Sequence, residues 1–160
     1  MEATSLAGET VEIPEDFAGA PVLLLVGYVQ DTQFDIDRWL YGAIDAELEV
    51  ALREVPAARG AAASLAKGFI DSGMQRGIPR DEWGAVTTTY GDAAEAIGQF
   101  TGTERPRNAR VLLLDSNGIV RWFYDQGYSA MKLKGLEAAL EDVSAPDTAP
   151  ASSAPESDAE

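Results

Sequence analysis

The sequence predicts one α/β domain built on a central β-sheet, with a β-hairpin and a helix at its carboxyl end. Three observations carry this expectation. Residues 22–29, VLLLVGYV, are a near-continuous apolar run, the pattern of a strand covered on both faces. A polar loop follows, after which Ile36, Trp39, Leu40, Ala43 and Ile44 recur at i, i+3, i+4, i+7 and i+8, the spacing of one helical face. Further on, two apolar runs rich in β-formers flank Asn117-Gly118, and an amphipathic stretch comes after them.

The composition narrows the classes of function. A chain of 160 residues with 46% hydrophobic composition suits a single domain with a proper core. Its formal charge of −15, from 27 acidic against 12 basic residues, repels nucleic-acid phosphates and anionic headgroups. No nucleic acid is expected as a partner, and no segment approaches the length of apolar chain that would insert in a membrane. The ordinary role of such acidity is a soluble surface that discourages self-association. The chain contains neither cysteine nor histidine. Disulfides, thiolate nucleophiles, Ser-His and Cys-His systems and nearly all zinc sites are thereby excluded, and no metal or other cofactor is expected. The first residues show no basic and apolar leader pattern, so a cytoplasmic location is expected.

Taken in order, residues 8–19 alternate Val11 and Ile13 with Thr10 and Glu12, predicting a short edge strand that Pro14 ends. Residues 22–29 form the middle of the sheet. The helix after the loop is predicted to start near Asp35, because Thr32 and Asp35 fit a capping pattern and Asp35 and Asp37 suit the positive end of the helix dipole. Residues 47–57, ELEVALREVPA, fit both a helix and a strand. A strand over 48–55 is expected, since two successive helices would leave the sheet without a parallel neighbour. Leu65, Phe69, Ile70 and Met74 predict a helix over 61–74, weakened by Gly68 and Gly73. Pro79, Asp81 and Glu82 open a turn before Trp83. AVTTTY, residues 85–90, reads as a strand, and residues 92–100 as a short helix ending near Gly102. Asn117-Gly118 predicts a type I′ hairpin turn. Ser129 is placed to cap a last helix in which Leu133, Leu136, Leu140 and Val143 share a face. Residues 144–160, rich in Ala, Ser, Pro and acidic residues, lack large apolar side chains. The expected organisation is a domain over 1–143 and a disordered tail over 144–160.

This order, with the opening GETVEIPEDFAGAPVLLLVGYV and the closing VLLLDSNGIVRWF, resembles the thioredoxin-like superfamily, especially its redoxin and peroxiredoxin branch. The resemblance implies a three-layer α/β/α sandwich with a mixed central sheet and a C-terminal β-hairpin plus helix. It also places Thr32, Gln33, Phe34 and Asp35 where the family carries a Cys-x-x-Cys or a peroxidatic cysteine. Neither Thr32 nor Asp35 can exchange thiols, so the family's disulfide and peroxide reduction do not transfer. These folds usually set a cis-proline just before the first hairpin strand, and the nearest proline here is Pro106. More distantly, the apolar strand, Gln30, Trp39 and Glu54-Val55 resemble thioredoxin-like assembly factors of the mitochondrial ATP synthase, which also lack a redox dithiol.

The candidate site residues gather on that loop and its neighbours. Asp31, Asp35 and Asp37 lie near one strand end, yet Asp35 and Asp37 point in different directions on a helix, and their ordinary role is at the helix dipole. On that reading Asp35→Ala costs no more than about 1 kcal/mol. Arg105, Arg107 and Arg110 cluster in an acidic chain, offering guanidinium groups to a carboxylate, though pairing with the aspartates is the plainer expectation. Trp39 and Phe123 are expected in the core, with Trp122 and Tyr124 on the opposite strand face, where one face could stay partly open. Tyr128 offers a hydroxyl, or a staple. The first functional reading is a non-redox domain binding a protein or peptide through Gln30, Asp31, Thr32, Gln33, Asp35, Arg38, Arg105, Arg107, Arg110 and Tyr128, with no catalytic residue. The alternative is a small-molecule enzyme using Asp35, Arg107 and Tyr128 in the former redox cleft, and a third is a structural module. Oligomeric state is not legible.

Overall fold

A computed structural model describes residues 1–145 of the chain. The strands are β1 (Glu2–Ser5), β2 (Thr10–Glu12), β3 (Val22–Gly27), β4 (Ala51–Ala58), β5 (Thr87–Tyr90), β6 (Arg110–Leu114) and β7 (Val120–Tyr124). The helices are α1 (Gln33–Asp45), α2 (Ala61–Leu65), α3 (Lys67–Gly77), α4 (Gly91–Thr101) and α5 (Ala130–Ser144). The sheet order is β2-β1-β5-β4-β3-β6-β7. β3 runs parallel to β4 and β4 to β5, while β6 is antiparallel to β3 and to β7. This is the thioredoxin-like α/β arrangement that the resemblance implies.

Two cores explain the unbroken apolar run in β3. Leu23 and Leu25 face one side, packing with Val111 and Leu113 of β6, Ile36 and Trp39 of α1, and Leu136 and Leu140 of α5. Leu24 and Val26 face the other, with Val55, Leu112, Ile97 of α4 and Ile13. Alternate residues of one strand thus serve both layers. No helix among the described residues is long and apolar enough to cross a membrane.

Several expectations are corrected. β1 was not legible, because EATS carries no large apolar residue; pairing with β2 and β5 makes it a strand. The ambiguous segment is a strand, as expected, but it lies at Ala51–Ala58 and carries Pro56. The helix over 61–74 divides at Ala66, and neither α2 nor α3 buries a residue; Leu65 and Phe69 are exposed. Ser129 occupies the N-cap of α5 without a side-chain capping bond. In the hairpin only Gly118 takes a positive φ, +76°, while Asn117 does not. Gly118 N–H donates to the Asp115 carbonyl and Asp115 N–H to that of Ile119, so the turn is the longer form with a glycine bulge. Asp115 selects it by accepting the N–H groups of Asn117 and Ile119 on Oδ1.

The aromatic expectation reverses. Trp122 and Tyr124 face inward, meeting Trp39 edge-on at centroid distances of 5.9 and 6.0 Å, and Phe123 points out at 44% exposure. Ile44 is also 56% exposed. Eight residues beyond Ile36 it has turned about 80° from the buried stripe at 3.6 residues per turn. The acidic tail falls outside the described residues, apart from Ser144 and Ala145.

Candidate partner-binding site at the start of α1

β3 ends at Gly27, and a 3-10 turn over Gln30–Thr32 leads into α1. Thr32 and Asp35 are both buried. Thr32 Oγ1 donates to the Pro106 carbonyl at 2.7 Å and accepts the Val29 N–H at 3.3 Å. Asp35 accepts the Ala109 N–H on Oδ2 at 2.9 Å and the Tyr128 N–H on Oδ1 at 2.7 Å. Asp35 therefore ties the start of α1 to the residue before β6 and to the turn before α5. Asp35 stands in the first turn of α1, as expected, but it is buried and bonded across the fold rather than open on the loop. Ala109 immediately precedes β6, where a proline would have had no N–H to give. Among the described residues the only cis peptide bond is Ile13–Pro14, so Arg105–Pro106 is trans.

Tyr128 contributes through its backbone; its ring packs edge-on against Trp39 at 5.3 Å. Arg110 is a second correction, since its side chain is fully buried at 0% exposure. Its Nε donates to the Gly102 carbonyl at 3.0 Å and its Nη1 to those of Asn108 and Arg105. Thr32, Asp35 and Arg110 are thus buried, and their polar groups bond within the chain.

The remaining candidates stay outside. Gln30, Asp31, Gln33, Arg38, Arg105 and Arg107 are exposed. Arg107 meets Asp31 at 3.3 Å, the expected pairing with the loop aspartates, whereas Arg105 meets Asp125 at 4.0 Å, a partner outside that group. Gln33 Nε2 donates to Asp37 at 2.9 Å and reaches Glu54 at 3.4 Å. Burial raises the pKa of Glu54, opposed by the Gln33 bond and reinforced by Asp37 and Glu82. No ion pair of Arg38 occurs among the described residues.

Two residues were missed. Phe34 is 71% exposed and Tyr41 64% exposed, and with Arg38 they stand at i, i+4 and i+7 on the outer side of α1. The signal was present: on a helical wheel they lie opposite the Ile36 and Trp39 face. An exposed row of two aromatics and an arginine, continuous with a polar loop, is the composition enriched in protein interfaces.

No protein-family model matches the sequence, and no curated protein matches it either. Solved structures do. The exposed lipoprotein thioredoxin Etrx1 of Streptococcus pneumoniae superposes with a TM-score of 0.59 at 11% identity, over 89% of this chain and 98% of its own. A SCO1/SenC family lipoprotein of Bacillus anthracis gives 0.58 at 13% identity, over 89% and 92%. ScoI of Arabidopsis thaliana with copper bound gives 0.59 at 13%, over 89% and 96%. None of the three is an ATP synthase assembly factor. The likeness establishes a thioredoxin-like fold. Copper does not fit the residues that this chain sets at the loop: there is no cysteine or histidine to ligate it, and both oxygens of Asp35 already accept backbone N–H groups.

Proposed function

We propose that this is a non-redox thioredoxin-like domain that binds a protein partner through the outer face of α1 and the loop beside it, in an assembly or scaffolding role. The observation that carries the reading is the exposed Phe34, Arg38 and Tyr41 row. The partner is a protein with an apolar groove for the two aromatics and a carboxylate opposite Arg38, whose charge is not spent on an ion pair among the described residues. Gln30, Asp31, Gln33, Arg105 and Arg107 form the polar rim, where contacts set specificity more than affinity. The enzyme alternative has lost its acid, since Asp35 is buried with both oxygens occupied.

The test begins with capture of a partner from the source cell, followed by purification of that partner. Titration then compares the native chain with Phe34→Ala/Tyr41→Ala and with Arg38→Ala, all shown to unfold at matching temperatures. Aromatic anchors of this kind are worth about 2 kcal/mol or more each, so the double variant should bind at least roughly a hundredfold more weakly. Unchanged affinity in both variants would remove the site.

A further inference from the structure

Across the sheet from α1, an apolar cavity of about 210 Å³ opens between the N-terminal hairpin and α4. Leu24, Val26 and Leu112 line it from the sheet, Pro14 from the hairpin side, and Ile97 and Thr101 from α4. The two sides of the sheet are filled differently. Beneath α1 and α5, Trp39 meets Trp122, Tyr124 and Tyr128 edge-on at centroid distances of 5.9, 6.0 and 5.3 Å. On the cavity side the sheet presents aliphatic side chains to a gap. Close-packed interiors seldom leave such a volume empty, because wall atoms beside a void lack dispersion partners.

Water is a poor filling for this space, since a buried water needs several polar partners. Thr101 is the one polar side chain among the described lining residues, and its hydrogen bonds are spent. Its proton goes to the Ile97 carbonyl at 3.0 Å, so the Tyr28 phenol donates to its oxygen. The Met1 amino group at the rim donates to the Ile13 carbonyl at 2.6 Å and lies 3.3 Å from Glu12 and 3.7 Å from Glu15, so its charge is already paired. The walls are fixed by bonds of their own. Gly19 N–H donates to the Ser116 carbonyl at 2.8 Å, joining the segment after Pro14 to the β6–β7 turn. Gly118 in that turn lies so close to Pro14 that a Cβ would meet its ring at 3.1 Å. A preformed space loses little freedom when it is filled.

We infer that this cavity is a binding site for a small neutral hydrocarbon-like molecule, held by apolar contact alone. An apolar cavity of about 150 Å³ stays dry and takes up benzene, and at the same roughly 25 Å³ per carbon this space takes about eight carbon atoms. An anion would lose its hydration there and gain no free donor or unpaired charge from the described lining. Residues 146–160 do not supply the occupant, because their sequence contains no aromatic residue and no Leu, Ile, Val or Met. The exposed Phe100 and Met1 are at the rim. The site stands independently of the α1 surface.

The test is calorimetric titration of the full chain with benzene, toluene, ethylbenzene and butylbenzene, and with phenylacetate, which matches ethylbenzene in carbon count and carries a charge. Affinity should rise about fourfold per added carbon as far as ethylbenzene, as burial of one methylene group requires, and level off at butylbenzene once the space is full. Phenylacetate should bind about tenfold or more weakly than ethylbenzene. Val120→Trp, which fills the cavity at the hairpin end, should weaken ethylbenzene by about tenfold or more. If that variant does not fold, Val120→Phe fills less of the space and should weaken it by about threefold or more. No binding, affinity that keeps rising to butylbenzene as partition onto exposed apolar surface would, equal affinity for phenylacetate, or unaltered binding in the Val120 variants overturns the inference.

Discussion

Asp35→Ala separates a helix-start charge from a structural tie. The carboxylate accepts two backbone N–H groups from parts of the chain 74 and 93 residues away, at 2.9 and 2.7 Å. Hydrogen bonds to a charged group contribute about 1.5–3 kcal/mol each, and alanine would leave the buried Ala109 N–H without a partner. The expected loss is about 3–5 kcal/mol, against a total stability of about 5–15 kcal/mol for a domain. In a chain of this size that lowers the melting temperature by about 10 °C. Asp37→Ala, two residues on, removes only the exposed Gln33 bond and should cost less than about 1 kcal/mol. Urea unfolding of the native chain and both variants gives the magnitudes. Amide hydrogen exchange locates them, since the Ala109 and Tyr128 N–H groups should exchange faster in Asp35→Ala alone. A loss within about 1 kcal/mol of the native chain would return Asp35 to the helix dipole and refute the tie.

Two more outcomes follow from the titrating groups. Glu54 has a raised folded pKa, chiefly through burial, so its ionised form is disfavoured in the fold. Stability should fall as pH rises from the unfolded value near 4.5 through the folded one. Glu54→Gln should abolish that fall and raise the melting temperature at neutral pH, checked by thermal unfolding against pH. Asp115 has a lowered pKa, first through the Ile119 N–H and also through Arg121 and Asn117. Its contribution is present above the unfolded value near 3.8 and is lost as pH falls through the folded one, so Asp115→Asn should be less stable at neutral pH and flatten the acid limb of the same curve.

What the sequence disclosed depended on how local the cause was. The β3 run, the α1 stripe as far as Ala43 and a turn at Gly118 announce themselves over a few residues, and each formed, though the turn is not of the type expected. β1 and the inward turn of Trp122 depend on strands that meet only after folding. The choice of Phe123 over Trp122 for the core assigned the strand face correctly by alternation and its direction wrongly, because direction is set by pairing: Trp122 stands opposite Leu113, which faces Trp39. The site was misread for a related reason. An arginine at the start of a strand reads as solvated, and only the register Val26↔Arg110 puts it inside. Thr32 and Asp35 read as loop polar groups because their partners, Pro106 and Ala109, lie 74 residues away.

These same contacts bear on how rigid the loop is. Residues 102–109 are held from α1 by the Thr32 hydroxyl and the Asp35 carboxylate, and from β6 by Arg110 on the carbonyls of Gly102, Arg105 and Asn108. Thr32 and Asp35 carry groups whose hydrogen-bonding capacity is used within the chain. A segment fixed on both sides has little conformational freedom left to lose. Ordering a flexible side chain at an interface costs about 0.5–1.5 kcal/mol, and a preformed surface avoids much of that cost. On the proposed reading the buried polar residues and the exposed Phe34, Arg38 and Tyr41 belong to one account: the former fix the geometry, and the latter are offered to the proposed partner.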